Sequence, residues 1–343
     1  MSTRNQLKFN LSLIVTLYLL AIFASFLSPL SPTESPAKRV SYSSPIKIHF
    51  SLHEGLFFYP FILKVDSESF IRKFSLNKEI KCNIKFFTKG FEYKLFGLFK
   101  TNTHLMGSGN CPNDFHLLGT DKLGRDYFSR LIHGLRPSLF TGILGVLIAF
   151  PLGIIYGTFA GYKGGSTGEV MMRMVEVILS LPTLYLLVVL AAILPPGLTN
   201  MQRLSLITVI LSLIGWAGLA RVVRGQVLSI AKREYVQAAV LIGQSEFKII
   251  IREIIPQLSS YLIIALTLSF PSYILGETTL SFLGLGINQP DPSLGNILAE
   301  GRELTSLFLR PWLAIGPTII IVILTLCFNS LGDQLRDILD PKT

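Results

Sequence analysis

Few side chains in this sequence stand at spacings that could do chemistry. The three cysteines, Cys82, Cys111 and Cys327, are too isolated to make a metal site, and the five histidines, His49, His53, His104, His116 and His133, show no ligand spacing. No metal is expected. A phosphate-cradling loop needs G-x-x-x-x-G-K-[ST], and the chain lacks even a Gly-Lys dipeptide, so it has no nucleotide site of its own and no catalytic residue is assigned. What remains is acid inside apolar sequence. Glu176 and Glu277 fall in long hydrophobic windows, where a central charge costs about 2.5 to 3.5 kcal/mol on insertion scales. Two readings stay open: they line a solute's path, or they sit near the membrane interface or in hydrogen bonds between helices.

The windows that must position these residues dominate the composition. Of 343 residues, 50% are hydrophobic and only 15% are charged, against about a quarter charged in ordinary soluble domains. That combination excludes a disordered chain and points into a bilayer. A helix needs roughly 20 mostly apolar residues to cross the hydrocarbon core. Six windows qualify, at about 10–29, 139–162, 174–194, 204–222, 258–283 and 312–331. The first reads as an uncleaved anchor, because its apolar run exceeds a signal core and lacks a clear A-x-A site. Pro182 and Pro271 are expected to kink their spans.

Lys and Arg in short loops set the orientation. With the amino terminus cytoplasmic, the inner segments hold twelve basic residues and the short outer ones three, Arg203, Arg302 and Arg310, which puts both termini inside. The formal charge of +10 invites a nucleic-acid reading, but residues 30–136 alone hold 16 Lys or Arg against 9 Asp or Glu, so +7 of the +10 lies there and no nucleic-acid partner is expected. This basic stretch falls on the outer side, as a long segment can regardless of charge. Within it SPIKIHF, KCNIKFF and FEYKLFGLF alternate apolar and polar residues, which predicts a small β-rich module. An oxidising exterior would permit a Cys82–Cys111 bridge.

After the module comes GTDKLGRDYFSRL. Its Asp121, Arg125, Asp126 and Arg130 recur at spacings of four or five, which predicts an amphipathic helix lying on the outer surface. The largest inner loop, 221–260, reads as helix, turn, helix: Glu234 to Leu241 favour a helix, Gly243 breaks it, and Ser245-Glu246 start a second helix expected to end at Pro256. The small side chains of Ala238 and Ala239 would let another protein approach the backbone closely.

Here the chain resembles a known family. Gln237-Ala238-Ala239, Gly243 and Ile255-Pro256 are similar to the EAA loop of type I ABC importer permeases. LGTDKLGRDYFSRLIHGLRPSL, LGETTLSFLGLG, PSLGNILAEGR and FNSLGDQLRDILDP resemble blocks of the dipeptide and oligopeptide permease group, in particular its second permease subunit. Gln237 departs from the pattern, replacing an acidic residue, and Glu253 stands where many members carry an apolar one.

The resemblance implies an all-α polytopic membrane protein with six transmembrane helices, the type I importer permease fold and a small β-rich extracytoplasmic insert. The domains would be 1–30 (tail and first span), 31–117 (insert), 118–333 (permease domain, with the coupling loop at 221–257) and 334–343 (cytoplasmic tail). Glu234, Tyr235, Gln237, Ala238, Ala239 and Gly243 would face a cytoplasmic ATPase subunit that binds the ATP, with Pro256 closing the loop; this chain would hold no cofactor. The GTDKLGRDYFSRL block would be a gate or elbow helix; a capped, charged helix start is the other reading, and the sequence does not choose between them. Further implied partners are a sister permease subunit, an extracytoplasmic solute-binding protein and the lipid of a bacterial inner membrane. Peptides are the implied solute. Alternatives are nickel or another non-peptide solute through the same machinery, or an ion-coupled secondary transporter, against which the large inner loop and the lack of a visible inverted repeat both count.

Overall fold

The computed structural model describes residues 3–35, 41–52, 55–65, 72–95, 97–111 and 115–339. In chain order its elements are α1 (Thr3–Ile22), α2 (Ala24–Leu27), β1 (His49–Ser51), β2 (Gly55–Phe58), β3 (Phe61–Val65), β4 (Arg72–Leu76), β5 (Cys82–Leu95) and β6 (Phe99–Ser108). Then follow α3 (Tyr127–Lys163), α4 (Gly165–Ser180), α5 (Thr183–Ala192), α6 (Asn200–Ile230), α7 (Glu234–Leu241), α8 (Glu246–Ile249), a π-helical turn (Ile250–Ile254), α9 (Ile255–Phe282), α10 (Leu294–Glu300), α11 (Leu304–Leu309) and α12 (Trp312–Leu339).

Among the described residues five helices are long and apolar enough to cross a membrane: α1 from Asn5, α3, α6, α8 with α9, and α12. The window at 174–194 differs from the expected single span. It is broken into α4 and α5, which meet at 80°, and a sixth crossing exists only if this bent pair is one span. The cause is local. Pro182 offers no N–H, and the residue before a proline is pushed out of the helical region; Leu181 accordingly has φ −81° and ψ 134°. Pro271 and Pro317 sit inside α9 and α12 without ending them.

The chain divides into two compact units. One comprises Met1–Ile14, Leu139–Leu280 and Ile323–Thr343. Its helices approach closely where side chains vanish: Gly153, Gly157 and Gly161 form a stripe on α3 facing α6. A Cβ at Gly157 would stand 2.5 Å from the Ala220 carbonyl oxygen, and one at Gly161 2.9 Å from that of Arg224. In a bilayer, where lipid is as apolar as leucine, such contact is what drives helices together.

The other unit comprises Val15–Ser138 and Ser281–Val322. It holds an antiparallel sheet in the order β1-β2-β5-β6 and a separate β3-β4 pair. Ile46, Phe58, Cys82, Cys111 and Phe115 form its sheet-side core, and Cys82 and Cys111 are joined in a disulfide with a Cα–Cα distance of 5.6 Å. Polar ties fasten α3 to the end of α1 and the sheet to α2. Arg136 donates from Nε to the Ala21 carbonyl at 2.7 Å and from Nη2 to that of Ile22 at 3.1 Å, satisfying acceptors that a helix end leaves open. The buried His104 ring is held between the carbonyls of Ser25 and Phe91 at 2.9 and 3.0 Å.

Candidate functional site

The loop between α6 and α9 is built as a two-faced wedge. Val236 and Ala239 on α7 are buried, packed with Val223, Val227, Ile230, Ile249, Ile254 and Leu258. The opposite face is open: Glu234, Tyr235, Gln237 and Ala238 are exposed. Ala239 therefore does not face outward as the motif implied. It lies under α7, and its small size lets the helix sit close on its own core.

Three large apolar side chains stand in the open around the turn, Leu241 at 86% exposure and Ile242 and Phe247 at 74% each. Gly243 makes that turn. Its φ of +75° is left-handed, its N–H donates to the Val240 carbonyl at 3.0 Å, and Gln244 N–H donates to that of Ala239 at 3.1 Å. This is the double bond pattern of a Schellman ending. A Cβ at Gly243 would meet nothing within 4 Å, so conformation, not space, demands glycine there.

Pro256 does not close the loop's second helix. That helix continues through the π turn into α9, with Pro256 exposed in its first turn. A proline ring clashes with the carbonyl four residues back in a regular helix, here Arg252, and a widened turn over that residue relieves the clash. Gln237, the departure from the motif, donates from Nε2 to the carbonyl of Ala231, the residue that caps α6, at 2.7 Å.

Both helices that leave this loop line one cavity of about 440 Å³: α6 through Leu211 and Gly215, α9 through Ser269, Tyr273 and Gly276, with Thr183 of α5 opposite. None of the described residues that line it is charged. Tyr273 is seated where glycines make room, since a Cβ at Gly145 would be 2.6 Å from its ring and one at Gly215 2.5 Å from its hydroxyl. Glu176 and Glu277 are not part of the lining. Glu176 lies on the surface of α4, paired with Arg173 at 3.1 Å, and Glu277 is fully buried.

The 119–130 block is the capped, charged start of α3 and not a separate helix lying on the surface. Its first part, to Asp126, is a turn and its last four residues open α3, and the four charges expected on a surface helix are all buried, at no more than 1% exposure. Asp126 caps α3, accepting from Ser129 N–H at 2.8 Å, and its other oxygen is 3.0 Å from His116 Nδ1. Asp121 accepts from the backbone N–H groups of Leu123 and Arg125 at 2.8 and 2.9 Å, and is paired with Arg125 Nε at 2.6 Å and Arg130 Nε at 3.3 Å.

Both guanidiniums also reach Glu300 at the end of α10, Arg130 at 2.9 Å and Arg125 at 3.3 Å, while Gln289 donates to the same carboxylate at 2.8 Å. Two arginines thus meet two acids, the balance that buried charge requires. Burial pushes the Glu300 carboxyl above the usual carboxylate range, against the pull of Arg130 and Arg125. Sequence reasoning missed Glu300 and Gln289 as members of this cluster; the one available signal was an acid at the end of a short, otherwise uncharged helix. Among the described residues no three His, Cys, Asp or Glu side chains converge as a metal site.

Residues 149–343 match the family described as binding-protein-dependent transport system inner membrane component, and the chain belongs to that family. The dipeptide transport system permease protein DppC of Bacillus subtilis is 43% identical over 231 residues, which cover 67% of this chain and 70% of that protein. The oligopeptide transport system permease protein OppC of Haemophilus influenzae is 38% identical over 242 residues, covering 71% and 75%. Among solved structures, the MetNI methionine ABC transporter in inward-facing conformations is similar over 61% of this chain and 95% of that one, with 17% identity and a TM-score of 0.49.

Proposed function

We propose that this chain is a permease subunit of an ATP-driven importer, passing short peptides inward across a bacterial inner membrane. The observation that carries the reading is mechanical. The loop with the exposed apolar turn at Leu241, Ile242 and Phe247 is continuous with α6 and α9, and both of those helices line the 440 Å³ cavity. A partner that seats on the loop and moves it moves two walls of the cavity. An apolar cluster of this kind, left in water, suits a partner's groove, and the partner here is a cytoplasmic ATPase subunit that binds the ATP. Glu234, Tyr235, Gln237 and Ala238 present the exposed face of α7 to it, and Gly243 holds the turn.

The uncharged cavity, with Thr183, Ser269 and Tyr273 offering hydroxyls, suits passage of peptides with varied side chains rather than tight selection. Selection then falls to an extracytoplasmic solute-binding protein, and a sister permease completes the pore. In this reading the bent α4–α5 pair counts as one of six spans, both termini are cytoplasmic, and the strand-rich 49–108 segment is extracytoplasmic. The relatives' names supply the solute class. Glu176 and Glu277 stay as candidates for the path only if the pore, once assembled, brings them to it.

Uptake of a labelled dipeptide by cells carrying the complete transporter tests the proposal. Uptake is expected to stop when ATP is depleted with ion gradients kept, and to stop in Gly243→Val with membrane abundance unchanged. Persistence of uptake in either case would overturn the reading.

A further inference from the structure

A second cavity, of about 280 Å³, opens in the unit that contains the ion cluster, and Tyr42, Lys122, Gln289, Glu300, Arg302 and Glu303 are among its walls. Two kinds of charge meet there. Glu300 is committed, held by Arg125, Arg130 and Gln289. Lys122, Arg302 and Glu303 are different: all three are exposed, and none forms an ion pair among the described residues. Lys122 is carried by the tight turn that Asp121 organises, so its backbone is fixed to the cluster. Arg302 extends over the Phe282 ring at 5.9 Å, an interaction that limits the freedom a long side chain loses on binding.

The cavity thus has an internally paired wall and a rim offering two cations and one anion that form no ion pair among the described residues. Its volume, about 280 Å³, falls just below the range of about 300 to 1,000 Å³ usual for small-ligand sites, which leaves no room inside it for a long chain. We propose that it is a holding site for a short zwitterionic peptide, gripped by its ends: the terminal carboxylate by Lys122 and Arg302, the terminal ammonium by Glu303. Gln289, fixed by its bonds to Arg125 and Glu300, and Asn288 supply the neutral polar wall beside a peptide backbone. The inference rests on the peptide-import reading and adds to it a site on this chain that reads the ends of the solute.

The test is equilibrium binding of a labelled dipeptide to the purified complex of both permeases and the ATPase subunits, without the solute-binding protein. The free dipeptide is compared with its C-terminal amide and its N-acetyl form. Removing the charge at either end of the peptide is expected to weaken binding about tenfold, because a charge-assisted hydrogen bond goes with it. In Lys122→Ala/Arg302→Ala the free and amidated peptides should bind equally, while N-acetylation still matters; in Glu303→Gln the pattern should invert.

Equal binding of all three peptides by the wild type overturns the proposal. So does an effect of the variants on the complex's affinity for the solute-binding protein with dipeptide binding unchanged, which would make this rim a protein-docking surface. Dipeptide uptake by the complete wild-type transporter, run in parallel, separates the two levels. Uptake without end-dependent binding sinks the site alone, and absence of any peptide uptake sinks the import reading beneath it.

Discussion

The block at 119–130 and the loop that carries α7 are both expected, from sequence, to be helical elements at the surface, and the structure treats them in opposite ways. At 119–130 the charges sink: Asp121, Arg125, Asp126 and Arg130 are buried, Asp126 lies against His116, and the two arginines are answered by Asp121 and by Glu300, 170 residues further along the chain from Arg130. At α7 the apolar residues rise: Leu241, Ile242 and Phe247 are exposed with nothing to cover them. One region pairs its charges within the chain, and the other leaves apolar side chains open. Charge in a sequence therefore says little about exposure until its partners are found, whereas uncovered apolar surface around a conformationally fixed turn is the surface that the proposed ATPase contact would use.

The largest effect should come from opening the closed region. Glu300→Ala leaves two buried guanidiniums with one acid fewer between them, and removing one member of a buried pair costs about 3 to 5 kcal/mol. Thermal unfolding of the detergent-solubilised protein should show a large fall in Tm. Leu241→Ala, on the exposed loop, should stay within about 0.5 kcal/mol of wild type while reducing uptake. If Glu300→Ala behaves like a surface change, the cluster is not closed and the contrast between the regions collapses.

A comparable loss is expected from a second long-range tie in the same unit. The Cys82–Cys111 bridge closes a loop with a sequence separation of 29 residues, and on the chain-entropy model such a loop contributes about 3.5 kcal/mol. Cys82→Ser should make the 49–108 segment sensitive to protease at a temperature where wild type resists. Equal resistance of the two would mean that the hydrophobic core around Phe58 and Phe115 holds the segment unaided.

What can be read from the sequence divides along the same line. The apolar windows, the α7 helix, its Gly243 ending and the strands after residue 48 rest on signals within a few residues, namely length, periodicity and turn chemistry, and those are visible locally. The bend at Leu181–Pro182 is half visible: the proline shows, but whether it kinks or breaks a helix depends on what packs beside it. Pro256, expected to stop a helix, is absorbed by a π turn that no local rule announces. Glu300 cannot be paired with Arg125 and Arg130 from spacing at all, because its partners come together only through the tertiary fold. Ala239 misleads for a related reason. A motif says that small residues are needed, and not which side of the helix needs them.

The smallest expected effect separates the two faces of α7. Gln237 is exposed, yet its amide donates to the carbonyl at the end of α6, 2.7 Å away. A carboxylate has no proton to donate there and would lie against a helix C-terminus, where negative charge is unfavourable by about 0.3 to 1 kcal/mol. With the lost hydrogen bond, net worth about 0.5 to 1.5 kcal/mol, Gln237→Glu should lower Tm by a few degrees at most, and Gln237→Ala should do nearly the same. If the ATPase reads the loop by its apolar turn, both variants keep dipeptide uptake within about twofold of wild type. A gain of uptake in Gln237→Glu alone would show that an acid at this position makes its own contact with the partner. The exposed loop would then be a charged surface as well as an apolar one, and its contrast with the self-neutralised cluster would narrow.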